Sequence, residues 1–171
     1  QAGDIDVSAP RANRIIYHND LDNITMALDE NFTTLWTNAK VLLISGFNAM
    51  QSEALLRRRL RTLHGMVERL PTGVQCFYED AGFYDSQFSR RVYAELAPQI
   101  DIVSMNEDEL KGYLDREVNV LHPGEVKTAL EDLAQIIPVP TIVVHSMYWA
   151  LAYGADAQRF QDALHGGVTM A

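Results

Sequence analysis

Ile102-Val103-Ser104-Met105-Asn106-Glu107-Asp108-Glu109-Leu110 decides how the rest of this chain reads. A short apolar run passes directly into an acidic cluster that opens a helix-like pattern. The run suits a strand buried on both faces, as in a parallel sheet. Asn106 is a good N-cap, and Glu109 falls at the third helical position, where its side chain can reach back to complete a capping box. Acidic residues in a first turn also suit the helix dipole. The stretch is therefore a strand-to-helix step, the repeating unit of an α/β fold.

Working outward, the same alternation recurs. Upstream, Val41 to Ser45 is an unbroken apolar run closed by Gly46. Leu56, Leu60, Leu63, Val67 and Leu70 then step along one helical face that stops before Pro71-Thr72-Gly73. Val74 to Tyr78 is a second strand, and Phe88, Val92 and Leu96 mark a helix ended by Pro98. Ile100 to Ser104 is the strand before the acidic step, and a short helix follows from Glu107 to Leu114.

Downstream, Val126, Leu130, Leu133 and Ile137 predict a helix stopped by Pro138; Thr141 to His145 is a further strand, and Ala155 to Leu164 is helical. Nearer the N-terminus, Arg14 to His18 reads as a short strand, and Ile24, Leu28, Phe32 and Leu35 repeat at helical spacing. The expected architecture is α/β, a doubly wound, mainly parallel sheet with helices on both faces, in a single domain spanning residues 1–171.

Composition bounds the partners. The chain has 171 residues, 47% hydrophobic and 22% charged, which fits one globular domain with a real core. A formal charge of −9 opposes a general role in nucleic-acid binding, because no basic surplus offsets phosphate repulsion. Arg57-Arg58-Arg59 with Arg61 lies inside an amphipathic segment and reads as a solvated helix face. One cysteine, Cys76, excludes an internal disulfide; it is expected to be a buried, inert thiol in a reducing, cytoplasmic setting. No apolar stretch reaches the roughly 20 residues of a membrane span. The start, Gln1-Ala2-Gly3, has neither signal-peptide features nor an initiator Met, so the chain is expected to be an excised piece of something longer.

In an open parallel sheet, ligands bind at the carboxyl ends of the strands, so the residues there form a set. They are Gly46, Phe47 and Asn48; Glu79 and Asp80; Asn106 to Glu109; and His145 with Ser146, Tyr148 and Trp149. Carboxylates gathered at such an edge are poor hosts for an anion unless a divalent cation sits between, and carboxylate, amide and water ligands suit Mg²⁺. Each residue also has a plainer reading. Asn106 and Glu109 serve as a helix cap, Glu79 and Asp80 as solvated turn residues, His145 as a hydrogen-bonded strand end, and Arg14 as a surface ion-pair partner. No Walker-type loop, Gly-x-Gly-x-x-Gly or Gly-x-Ser-x-Gly occurs.

Five segments, in order, resemble the ADP-dependent glucokinase and phosphofructokinase family of the ribokinase-like superfamily. They are Ala9-Pro10-Arg11-Ala12-Asn13-Arg14-Ile15-Ile16, Leu43-Ile44-Ser45-Gly46-Phe47-Asn48-Ala49-Met50, Leu70-Pro71-Thr72-Gly73-Val74, Met105-Asn106-Glu107-Asp108-Glu109-Leu110, and Val144-His145-Ser146-Met147-Tyr148-Trp149.

The resemblance implies phosphoryl transfer from ADP to a sugar hydroxyl with Mg²⁺, releasing AMP. The family's Asn-x-x-Glu falls on Asn106 and Glu109, which would hold Mg²⁺ and its water shell near the phosphates. Its His-x-Glu falls on Phe77, Tyr78 and Glu79, matching the metal-linked Glu but not the His. Arg14 matches an Arg that contacts nucleotide phosphate, and His145, in the last segment, is assigned to the nucleotide as well. The family's catalytic Asp, in Gly-x-Gly-Asp, has no counterpart in Leu164-His165-Gly166-Gly167-Val168-Thr169-Met170-Ala171. The family's sugar-contacting residues lie mainly upstream. The expectation is thus the nucleotide and metal half of such a kinase, inactive by itself. The alternative is a non-catalytic ribokinase-like or Rossmann-like module that binds a nucleotide or a partner chain.

Overall fold

The strands of the sheet lie side by side in the order in which they occur along the chain. The computed structural model describes residues 21–83 and 85–170; Arg14 and the strand expected around it lie outside these. The elements run α1 (Leu21–Thr25), β1 (Val41–Ile44), α2 (Glu53–Val67), β2 (Gln75–Glu79), α3 (Ser86–Leu96), β3 (Ile102–Asn106), α4 (Glu107–Leu114), α5 (Pro123–Ile136), β4 (Thr141–His145), β5 (Ala150–Gly154) and α6 (Gln161–Met170). Strands β1 to β4 are parallel, and β5 runs antiparallel to β4.

Consecutive parallel strands joined by right-handed crossovers place every connecting helix on one face. Leu42, Ile44, Cys76, Tyr78, Val103, Met105, Ile142 and Val144 point to that face and are all buried. They pack with Leu56, Leu60 and Leu63 of α2, Val92 and Leu96 of α3, and Leu130 and Leu133 of α5 in one core. Cys76 belongs to this layer. Burial, reinforced by the nearby Asp101 charge, pushes its thiol up to about 12, so it is an inert core residue as expected.

Alternate residues face the other way, and their cover is uneven. Val41 and Leu43 of β1 are 52% and 63% exposed. Towards β3 and β4, Ala163, Leu164, Gly167 and Val168 of α6 enclose a groove with Phe77, Ile102 and Val143. Helices therefore occupy both faces, as expected, but among the described residues three crossovers sit on one and α6 alone on the other. The described strands contain no reversal of order, so double winding is not seen within them.

Three local expectations change. The helical spacing from Ile24 to Leu35 is split: α1 ends at Thr25, Met26 takes φ 42°, and a 3-10 helix over Glu30–Asn38 starts anew. Asp29 caps this second piece by accepting from the Asn31 amide at 2.9 Å, and Phe32 and Leu35 are left exposed. The strand expected from Ile100 begins at Ile102, because Ala97–Gln99 closes a 3-10 turn onto Ile100; it runs on to Asn106. Finally, β5 was not expected. It ends at Gly154, φ 138°, where a Cβ would sit 2.2 Å from the Pro140 carbonyl oxygen.

Candidate active site

The acidic step at the end of β3 folds as its sequence indicates. Asn106 caps α4, its Oδ1 accepting from the amides of Asp108 at 2.8 Å and Glu109 at 3.0 Å. Glu109 completes the capping box, its Oε2 accepting from the Asn106 amide at 2.7 Å and its Oε1 from Asn106 Nδ2 at 3.0 Å. Both carboxylate oxygens are thereby held towards the strand end. Desolvation, against the opposing Asn106 backbone hydrogen bond, lifts the Glu109 carboxyl from 4.5 to about 7, and the charges of Asp80, Glu79 and Asp108 add to the rise.

Glu79 ends β2 and pairs in register with Ser104, while His145 ends β4 opposite Asn106. Glu79 Oε1 and His145 Nε2 are 3.4 Å apart. Both line the groove under α6, about 700 Å³ in volume, together with Phe77, Tyr148, Trp149 and Phe160. On the other side of the strand tips, Asn106 and Glu109 line a separate cleft of about 360 Å³ with Asp80, Ser86, Arg90 and Tyr113. The structure thus gathers all four residues at one edge of the sheet but divides them between its two faces: Glu79 and His145 on one, Asn106 and Glu109 on the other.

Asp80 belongs to this site, although its sequence context reads as a solvated turn. It is 4% exposed. Its Oδ2 accepts from Tyr113 Oη at 2.5 Å and Tyr93 Oη at 3.4 Å, and its Oδ1 accepts from the Ala81 amide at 2.9 Å. Burial raises its pKa, and those same hydrogen bonds oppose the rise. The signal that could have flagged it is chemical: Tyr93 and Tyr113, each at a helical position facing the core, need a polar partner for a buried hydroxyl.

Among the described residues no group of three or more His, Cys, Asp or Glu is placed to hold a metal ion directly. No helix among the described residues is long and apolar enough to cross a membrane.

The mainly parallel α/β sheet recurs in solved structures of known kinases. A phosphofructokinase from Pyrococcus horikoshii OT3, solved with AMP, shares the fold at a TM-score of 0.57 and 14% identity, over 71% of this chain and 30% of that one. A 2-dehydro-3-deoxygluconokinase from Thermotoga maritima shares it at 0.51 and 12% identity, over 76% of this chain and 42% of that one. Residues 3–169 match the ADP-specific phosphofructokinase/glucokinase conserved region, and the chain belongs to that family. An ADP-dependent glucokinase from Bos taurus is 31% identical over 109 residues, which is 61% of this chain and 22% of that protein. The chain spans less than half the length of each of these relatives.

Proposed function

We propose that this chain is the nucleotide- and metal-binding half of an ADP-dependent sugar kinase, transferring a phosphoryl group from Mg-ADP to a hexose or hexose phosphate hydroxyl and releasing AMP. The observation that carries the reading is the completed Asn106–Glu109 clamp at the same sheet edge as Glu79 and His145, in a chain of this family. The groove under α6 offers aromatic and apolar walls for a purine, with His145 and Glu79 at its polar end. Phe77, at the family's His position, forms part of that apolar wall.

The residues fit magnesium chemically. Carboxylate and amide oxygens of Glu79, Glu109 and Asn106 lie at this edge. Desolvation, with the charges of Asp80, Glu79 and Asp108 adding to it, raises the Glu109 carboxyl to about 7, a cost that a divalent cation relieves. When bound, Mg²⁺ supplies charge neutralisation on the transferring phosphoryl group. Asn106 and Glu109 would orient its water shell from the start of α4, and Glu79 from the end of β2. Arg14, outside the described residues, is proposed to contact nucleotide phosphate. The hydroxyl proton goes to an Asp that this segment does not supply. The proposed setting is cytoplasmic.

Isothermal calorimetry with Mg-ADP, AMP and Mg-ATP tests the reading. Saturable binding of Mg-ADP and AMP, tighter than that of Mg-ATP, is the expected result. No heat with any of the three at millimolar ligand would replace the reading with a partner-binding module of the same fold.

A further inference from the structure

We propose that Asp80 is a positioning residue that sets the spacing between Glu79 and Glu109 across the sheet edge, through its clasp by Tyr113. The inference rests on the kinase reading and extends it to a residue outside the motif matches. Three connections support it. The Asp80 amide donates to the Ser104 carbonyl at 2.9 Å, which fixes the tip of β2 to β3 directly after Glu79. The side chain then takes the opposite side of the tip from Glu79, where Tyr113 of α4 and Tyr93 of α3 donate to the same oxygen. Tyr113 lies four residues after Glu109, one helical turn along the same face of α4.

The hydrogen bond therefore ties the strand that carries Glu79 to the helix that carries Glu109. The tyrosine rings brace it, with Tyr78–Tyr93 and Tyr93–Tyr113 centroids each 5.4 Å apart in edge-on contact. The loop leaving Asp80 crosses close above the clamp. A Cβ on Gly82 would lie 3.5 Å from Glu109 Oε1. Burying a carboxyl costs free energy that an apolar side chain of similar size does not. Accepting from two tyrosine hydroxyls offsets that cost, and the same bonds hold two other acids in place relative to each other.

The test is Mn²⁺ binding in the presence of ADP, followed by electron paramagnetic resonance on the folded chain, with AMP affinity by calorimetry alongside. Tyr113→Phe keeps the ring and removes the donor; Asp80→Leu removes the acceptor; Asp80→Asn keeps an acceptor for Tyr113. Tyr113→Phe and Asp80→Leu are expected to weaken Mn²⁺ by about 10-fold, the usual effect of removing an outer-shell partner of a metal site. AMP affinity should fall by less than Mn²⁺ affinity does, and Asp80→Asn should restore most of the metal affinity. If Asp80→Leu does not fold, Tyr113→Phe decides alone. Wild-type Mn²⁺ affinity in a folded Tyr113→Phe variant overturns the inference and leaves the kinase reading standing. Absence of Mn²⁺-ADP binding in the wild-type chain overturns both.

Discussion

Glu79 Oε1 and His145 Nε2 meet at 3.4 Å although their strands, β2 and β4, are separated by β3. The contact passes over β3 on the face where the small, buried Ser104 side chain lies. The two side chains are 33% and 47% exposed, so solvent screens the pair and it adds at most about 1 kcal/mol to folding. Its position beside the aromatic groove is the basis of the ligand contact proposed for it.

His145→Ala should therefore weaken AMP binding by roughly 10-fold, the loss of one hydrogen bond to a charged group. Its urea midpoint should match the wild type. Calorimetry and denaturation on the same samples check both halves. A lowered midpoint with unchanged AMP affinity would make the pair a structural contact only.

At Asn106 the cap and the proposed site use the same atoms. Asn106→Ala removes the acceptor for two α4 amides and the Nδ2 donor to Glu109, so stability should fall by about 1 kcal/mol. Asn106→Ser restores the cap and not the donor. The serine variant should recover the melting temperature while Mg-ADP binding remains impaired. Full recovery of both would leave the motif no function beyond capping.

The α4 boundaries, Glu107 to Leu114, were legible from local signals alone: an N-cap, a box-closing Glu and a short amphipathic repeat. Strands β1 to β4 were legible from their continuous apolar runs, although β1 leaves Val41 and Leu43 exposed on one face. The break at Met26 was not, since a left-handed residue inside a helical repeat leaves the apolar spacing intact. Strand β5 was hidden by its composition, Ala150-Leu151-Ala152-Tyr153-Gly154, which carries little β-propensity. Asp80 was misread for a different reason. Its burial depends on Tyr93 and Tyr113, 13 and 33 residues further on, and no pattern local to Glu79-Asp80 announces them.

Gly154 gives a purely conformational prediction. With φ 138° and the Pro140 carbonyl oxygen 2.2 Å from where a Cβ would stand, Gly154→Ala requires the end of β5 to separate from β4. The expected loss is roughly 2–4 kcal/mol, measured by urea denaturation. Gly73 also has a positive φ, 88°, but open space around its Cβ position. Gly73→Ala should cost about 1 kcal/mol, the backbone contribution alone. Equal losses at the two positions would mean that the clash relaxes freely.

Glu109 makes stability depend on pH in a direction unusual for a carboxylate. Its pKa rises from 4.5 to about 7 on folding, with desolvation as the leading cause. Between those values the folded chain binds more protons than the unfolded one, so stability falls as pH rises through the window and levels off above it. Glu109 is only partly buried, so solvent screening reduces the effect, and the loss is on the order of 1–2 kcal/mol. Glu109→Gln keeps an acceptor for the Asn106 amide and cannot ionise, so its advantage over wild type should be small at pH 4.5 and grow towards pH 7. Added Mg²⁺ favours the ionised carboxylate, and should stabilise the wild type above pH 7 while leaving the glutamine variant nearly unchanged. Melting curves across this range, with and without Mg²⁺, read both effects. Parallel pH profiles for the two proteins would show that Glu109 titrates as an ordinary surface acid, and would remove the electrostatic argument for a cation at this edge.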